Sequence, residues 1–241
     1  MNSAPAGWRL LVHDQLPSTA DLIRRCAEDG QAERLAILAR RQSAGRGTQG
    51  RTWESPEGNL YLSVLLRPDV AAREVPQWSL LAAVALYEAL APYAGLGLTL
   101  KWPNDLLLGG AKCAGILTEA ALDAGGRLSW LCFGFGVNLA YAPPVPGRAT
   151  ASLPPPALTP EEAAAAIMSS LDRWCGVLNA EGFSAVREAW LALGHAVGAV
   201  LTVNSGGVLH RGAFDGLDET GALRLRTATG LRMVTAGVVS P

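Results

Sequence analysis

Lys101 to Leu117 reads KWPNDLLLGGAKCAGIL, and it sets two short apolar runs, Leu98–Trp102 and Asp105–Leu108, on either side of Pro103-Asn104. Proline biases Trp102 toward an extended backbone. Asparagine and aspartate after it fit a tight turn. Gly109-Gly110 is a second turn signal, and Cys113–Ala121 reads as the strand returning from that hairpin. The first turn admits two readings. It is a plain hairpin corner, or Asn104 and Asp105 project oxygens from a rigid sheet edge to coordinate Mg²⁺ or order a triphosphate. Lys112 opens an otherwise apolar strand. There a cation can neutralise a reacting carboxylate and phosphate; the plain alternative is a solvated lysine.

Working outward, Leu60–Leu66 and Leu128–Val137 read as strands, and Pro76–Leu90 as a mostly apolar helix. Ser18 with Asp21 forms a capping-box pattern, predicting a helix to about Asp29 with Gly30 as its stop. Leu35–Ala39 is a buried strand. Thr159-Pro160-Glu161-Glu162 starts a helix reaching about Asn179, and Ser184–Leu193 is a shorter one. Tyr141–Pro156 is proline-rich and irregular. After Gly194 the pattern changes to short alternating runs, Ala199–Val203, Val208–Asp215, Ala222–Thr227 and Leu231–Thr235, which predict a small antiparallel β-unit. The chain therefore divides into residues 1–194 and a β-domain of residues 195–241.

Arg41–Asn59 has no usable periodicity, and a loop of that length is often functional. It contains Gly45–Arg51, GRGTQGR, a literal GxGxxG and a near P-loop. Both motifs need a helix directly after the loop. Pro56, Gly58 and Asn59 oppose one, so neither applies. What remains is a glycine-rich loop whose backbone N–H groups and arginines suit an anion, with a plain surface loop as the alternative.

The bulk properties exclude several classes. Of 241 residues 49% are hydrophobic, enough for a sizeable core, and the formal net charge is -1. The pI of about 6.3 lacks the basic excess of a dedicated DNA binder. No apolar run approaches the roughly 20 residues that cross a bilayer, and the N-terminus has no signal-peptide pattern. Cys26, Cys113, Cys132 and Cys175 lie among apolar residues without a CxxC pair, which predicts reduced core thiols in the cytoplasm. His13, His195 and His210 have no metal-ligand spacing.

Taken together, these motifs resemble the biotin–protein ligases. The matching pieces are Pro17-Ser18-Thr19, Gln42, Ala44–Gly47, Gly50–Trp53, Ser55-Pro56, Gly58–Leu60, Lys101–Asp105, Lys112 with Ala114–Leu117, and Gly134–Asn138. The resemblance implies an α+β fold, a class II synthetase-like mixed sheet with helices plus a C-terminal SH3-like β-barrel. It implies an ATP-dependent ligase that forms biotinyl-5′-AMP and transfers biotin to a lysine of a biotin carboxyl carrier protein. Biotin and ATP are the implied substrates and Mg²⁺ the cofactor. By the same resemblance Ser18, Thr19, Ala20 and Gln42 stand at biotin and Gly115 lines its pocket. Gly45, Arg46, Gly47, Thr48, Arg51, Trp53, Asn104, Asp105, Lys112 and Asn138 surround the adenylate, with Lys112 the central cation, Lys101 its support and Asp105 the metal ligand. The family often pairs its catalytic sheets edge to edge, so the resemblance allows a homodimer, though the sequence does not distinguish the strand edges. Ser18 stands too near the start for a winged helix to precede it, which implies a ligase without operator binding. The sequence departs from the family at Ala20, where asparagine is common, and at Thr48, where arginine is frequent. Two other readings remain at this stage: a lipoate- or octanoate-type acyl ligase, and a non-catalytic protein that binds biotinyl-adenylate.

Overall fold

A computed structural model describes residues 4–155 and 158–239, with the backbone of Ser240. Residues 1–3 of the N-terminal reading, and Pro156 of the proline-rich one, lie outside the described residues. Seven strands form one mixed sheet in the order β1-β2-β3-β7-β6-β5-β4. These are β1 (Arg9–Leu16), β2 (Leu35–Gln42), β3 (Leu60–Leu66), β4 (Leu98–Lys101), β5 (Asp105–Leu108), β6 (Ala111–Leu122) and β7 (Leu128–Val137). Only β1 and β2 run parallel; every other neighbouring pair is antiparallel.

The two sheet faces differ. Leu60, Leu62, Val64 and Leu66 of β3, with Leu131, Phe133 and Phe135 of β7, face α2 (Val75–Ala94), α3 (Pro160–Glu181) and α4 (Phe183–Leu193) in one continuous core. Helix α2 packs on β4, β5 and β6 and against both α3 and α4, so it is apolar nearly all round, while α3 covers β2 and β3 beside it. On the opposite face α1 (Thr19–Glu28) packs Ile23 and Ala27 on Leu35, Ile37, Leu65, Trp130 and Cys132. The rest of that face is left to the cleft.

Five further strands, β8 (Val200–Ser205), β9 (Val208–Leu217), β10 (Leu223–Thr227), β11 (Gly230–Val234) and β12 (Val238–Ser240), form an antiparallel sheet in the order β11-β10-β9-β8-β12. That is the α+β architecture with a small C-terminal β-unit expected above. Its Leu201, Phe214, Leu223 and Leu225 join the large helix-facing core.

Several expectations need correction. The Thr159–Glu162 capping box forms with both halves present. The Ser18–Asp21 box does not: Ser18 makes no side-chain cap, and Asp21 instead faces Arg24 and Arg46. Strand β1 has no clean alternation in sequence, because it is a sheet edge with an exposed or half-exposed residue at every position. Strand β12 is too short to show a period. The four cysteines are free, as expected, and burial pushes the thiols of Cys113, Cys132 and Cys175 up to about 12.

Asn59 carries more of the fold than its sequence context shows. It is fully buried; its Oδ1 accepts from the backbone N–H groups of Leu139, Ala140 and Tyr141 at 2.9, 3.0 and 3.1 Å, and its Nδ2 donates to the Tyr141 carbonyl at 2.8 Å. One amide thereby closes the chain leaving β7. Asn59→Ala orphans those groups and is expected to cost about 3 kcal/mol or more in urea unfolding. A loss under about 1 kcal/mol would show that the segment is held by other means.

Candidate active site

The site starts from a row across the sheet. Backbone pairing places Ala39, Tyr61, Gly136, Gly115, Asp105 and Lys101 side by side on β2, β3, β7, β6, β5 and β4. Paired residues on antiparallel strands share a face, so the two glycines leave a groove between Tyr61 and Asp105. The Trp53 indole rests in it: a Cβ on Gly136 would lie 2.5 Å from Trp53 Cε2, and one on Gly115 would lie 2.9 Å from Lys112 Nζ and 3.3 Å from Trp53 Cζ3. These glycines are required by close approach, not by backbone conformation.

At one end of the groove runs a chain of polar groups. The Thr19 N–H donates to Gln42 Oε1 at 2.8 Å, and its Oγ1 also donates there at 3.2 Å. Ser63 Oγ donates to Thr19 Oγ1 at 2.9 Å. Gln42 Nε2 donates to Ser55 Oγ at 2.9 Å, which donates to the Trp53 carbonyl at 2.8 Å. Ser18 Oγ and Trp53 Nε1 are buried in the same cleft without a partner among the described residues. Buried polar groups are rarely left so, and both line the cleft. The cleft encloses only about 40 Å³ with the indole in place.

Gly45–Trp53 is a short hairpin rather than an open nest. The Gly47 N–H donates to the Arg51 carbonyl at 2.7 Å and the Trp53 N–H to that of Gly45 at 2.9 Å, around a bridge between Arg46 and Thr52. Of the loop's backbone N–H groups, that of Gly47 is therefore engaged within the hairpin. Thr48–Gly50 makes one 3₁₀ turn at the tip, with Gln49 at φ 58°. Arg46 turns away from the tip and pairs with Asp21 at 2.8 Å and Glu119 at 3.0 Å. Thr48 orients Arg51, whose Nε donates to the Thr48 carbonyl at 3.1 Å and whose Nη2 donates to its Oγ1 at 3.0 Å.

Cations gather at the other end of the groove. Lys112 pairs closely with Asp105 Oδ1, the two side chains being 14% and 9% exposed, and Arg148 stands 3.5 Å from Asp105 Oδ2. Lys112 Nζ also lies 5.3 Å from the Trp53 ring centroid, a cation–π contact. Burial lowers the pKa of Lys112 and of Lys101; Asp105 opposes this in both, while Arg148 and Arg51 add to it. One carboxylate is thus shared among several cations, a field suited to a polyanion. No group of three or more His, Cys, Asp or Glu side chains among the described residues is placed to hold a metal. Asp105 alone suits an ion that takes most of its oxygens from phosphates and water.

Of the residues singled out by sequence, Ser18, Thr19, Ala20, Gln42, Arg46, Gly47, Thr48, Trp53, Asn104, Lys112 and Gly115 line the one cleft. Lys101, Asp105 and Arg51 border a cavity of about 320 Å³ beside it. Asn138 borders a larger one of about 630 Å³, shared with Lys112 and Arg51. Gly45 backs the hairpin, where a Cβ would meet the Trp53 carbonyl. Asn138 and Asn104 are engaged with backbone, donating to Ala151 at 2.9 Å and Ile116 at 2.7 Å. Tyr61, Ser63 and Arg148 were not anticipated. A polar Ser63 within the otherwise apolar LYLSVLL was a readable signal for the first two. Arg148 sits in an irregular segment and gave none.

Residues 12–138 match the biotin/lipoate A/B protein ligase family, and residues 200–240 match the biotin protein ligase C-terminal domain. The chain is 38% identical to the biotin–[acetyl-CoA-carboxylase] ligase of Paracoccus denitrificans, over 84% of this chain and 88% of that one. It is 31% identical to the bifunctional ligase/repressor BirA of Bacillus subtilis, over 95% and 72%. The biotin protein ligase of Aquifex aeolicus in complex with biotin and ATP superposes with a TM-score of 0.80 at 24% identity, covering 96% and 97%, which speaks for the fold. That of Leishmania major in complex with biotinyl-5-AMP gives 0.65 at 25%, covering 97% and 100%. The seven-stranded mixed sheet and the five-stranded C-terminal sheet are accordingly those of a ligase: the chain belongs to the biotin/lipoate A/B protein ligase family and carries the C-terminal domain of the biotin protein ligases.

Proposed function

We propose that this ligase activates biotin with ATP as biotinyl-5′-adenylate and transfers it, in the cytoplasm, to a lysine of a biotin carboxyl carrier protein. The observation that carries the reading is Lys112, paired with Asp105 where the groove meets the two larger cavities. The groove offers biotin an apolar floor of glycine backbone and indole, with Ser18, Thr19 and Gln42 for its polar ring. The cavities, edged by Arg51, Lys101 and Arg148, suit the nucleotide.

In the first step a biotin carboxylate oxygen bonds to the α-phosphorus. The bond from that phosphorus to the bridging oxygen breaks, and pyrophosphate leaves. Carboxylate and phosphate repel, and negative charge gathers on the phosphoryl oxygens, so the chain must supply positive charge and orientation rather than a nucleophile. Lys112 is placed to do both, its ammonium held by Asp105 and the Trp53 face. Mg²⁺, held by Asp105, would add charge neutralisation on the phosphates. In the second step the acceptor amine attacks the acyl carbon, loses a proton, and AMP leaves. Arg46, held by Asp21 and Glu119, fixes the base of the hairpin that covers the adenylate.

Lys112→Ala is expected to slow biotin-dependent ATP–pyrophosphate exchange by about 10²–10³-fold; an unchanged rate would remove Lys112 from the centre of the chemistry. Gly136→Ala should push the indole off its seat and raise the biotin KM by about tenfold, the order of 1.4 kcal/mol, with the KM for ATP little changed. A rise shared equally by ATP would show that Trp53 does not belong to the biotin end. Thr48→Arg adds a cation at the hairpin tip and should slow release of biotinyl-adenylate by about tenfold, one charge-assisted hydrogen bond. Equal release rates would sink that role for position 48.

A further inference from the structure

Trp102, beside the cation cluster, is held by the C-terminal part of the chain through two hydrogen bonds. The β4–β5 ladder ends at the Lys101–Asp105 pair, so the N–H of Trp102, inside the turn, has no partner in the ladder. It donates to His195 Nε2 at 3.3 Å, and the Trp102 indole N–H donates to the Gly221 carbonyl at 3.3 Å. Trp102 itself is buried, so neither group has water as a substitute. His195 follows α4 and is wedged between Trp190, at 6.1 Å between ring centroids, and Phe214 of β9, at 5.5 Å in an edge-on arrangement. The imidazole is fixed by aromatic packing on one side and reads a single amide on the other. Burial, and Lys101 beside it, lower its pKa to about 4, so across neutral pH Nε2 keeps its lone pair and the ring proton lies on Nδ1.

Lys101 precedes that amide and Asn104 and Asp105 follow it within three residues. Rotation of the Trp102 peptide would therefore move the ammonium and the carboxylate together. We infer that His195 is a positioning residue for adenylation: by accepting from the Trp102 amide it couples the C-terminal sheet to the Lys101–Asp105 turn and holds Lys101 and Asp105 at the nucleotide. This rests on the placing of that turn at ATP proposed above.

The test compares His195→Phe, which keeps the aromatic packing and loses the acceptor, with His195→Gln, whose amide oxygen reaches the same place. Single-turnover formation of biotinyl-adenylate is read at saturating biotin and ATP, with the KM of each. H195F is expected to lower the adenylation rate about tenfold, the scale of a small misplacement of reacting groups, with the biotin KM within about twofold. H195Q is expected to recover most of the rate. A wild-type rate in H195F, or H195Q no better than H195F, overturns the inference. A second measurement needs no substitution: ¹⁵N shifts of the intact ligase should show His195 protonated on Nδ1 at neutral pH, and a proton on Nε2 would overturn it whatever the variants do. Lys112→Ala run alongside separates the two claims. Loss of exchange there with a silent H195F discards the coupling alone; full exchange in Lys112→Ala discards the site.

Discussion

The pairing of Lys112 with Asp105 is possible only because the chain removes a side chain between them. Asp105 stands opposite Gly115, and a register shift between Leu106 and Leu107 sets Lys112 opposite Leu107. To reach the carboxylate, the lysine must lie back across Gly115, where any Cβ would be 2.9 Å from its Nζ. The ion pair and one half of the groove thus depend on the same glycine, while Trp53 sits chiefly against the other, Gly136. A buried ion pair is a poor source of stability, because desolvation offsets most of its attraction. Its value lies in holding a charge, partly stripped of water, at the mouth of a cleft, where its field is weakly screened.

The irregular segment after β7 belongs to the same construction. Lys112 N–H donates to Ala149 O at 2.9 Å and Ala151 N–H to Lys112 O at 3.0 Å. Asn138 and Asn59 fasten the start of that segment. Arg148 reaches Asp105 from it because its neighbours are bonded to the strand that carries Lys112. Buried amides therefore do for a coil what ladder hydrogen bonds do for a strand.

How much of this could be read beforehand follows from the range of each interaction. The strands Leu60–Leu66, Asp105–Leu108 and Leu128–Val137, and the Thr159 cap, were legible because burial and capping act within a few residues. The cleft residues were legible as an ordered set of motifs. Contacts bridging long sequence separations were not. Nothing local distinguishes Arg46 paired to Glu119, 73 residues on, from Arg46 free for an anion. Asp21 looks like a helix cap until the fold brings Arg46 to it. The glycines of GRGTQGR suggested an open nest, but their backbone groups close a hairpin, a distinction that only pairing geometry reveals.

That hairpin has an entropic consequence. Arg46 is bolted at its base to α1 through Asp21 and to β6 through Glu119, and the bridge to Thr52 locks the other leg. The Gly47–Arg51 hydrogen bond closes the next rung, and the turn from Thr48 to Gly50 is what lies beyond it. Ordering a free backbone costs about 1–2 kcal/mol per residue. A ligand covered by this hairpin has to restrain a tip of a few residues instead of the whole stretch from Arg41 to Asn59. Most of the freedom such a long connection would otherwise forfeit on binding has been given up already, during folding.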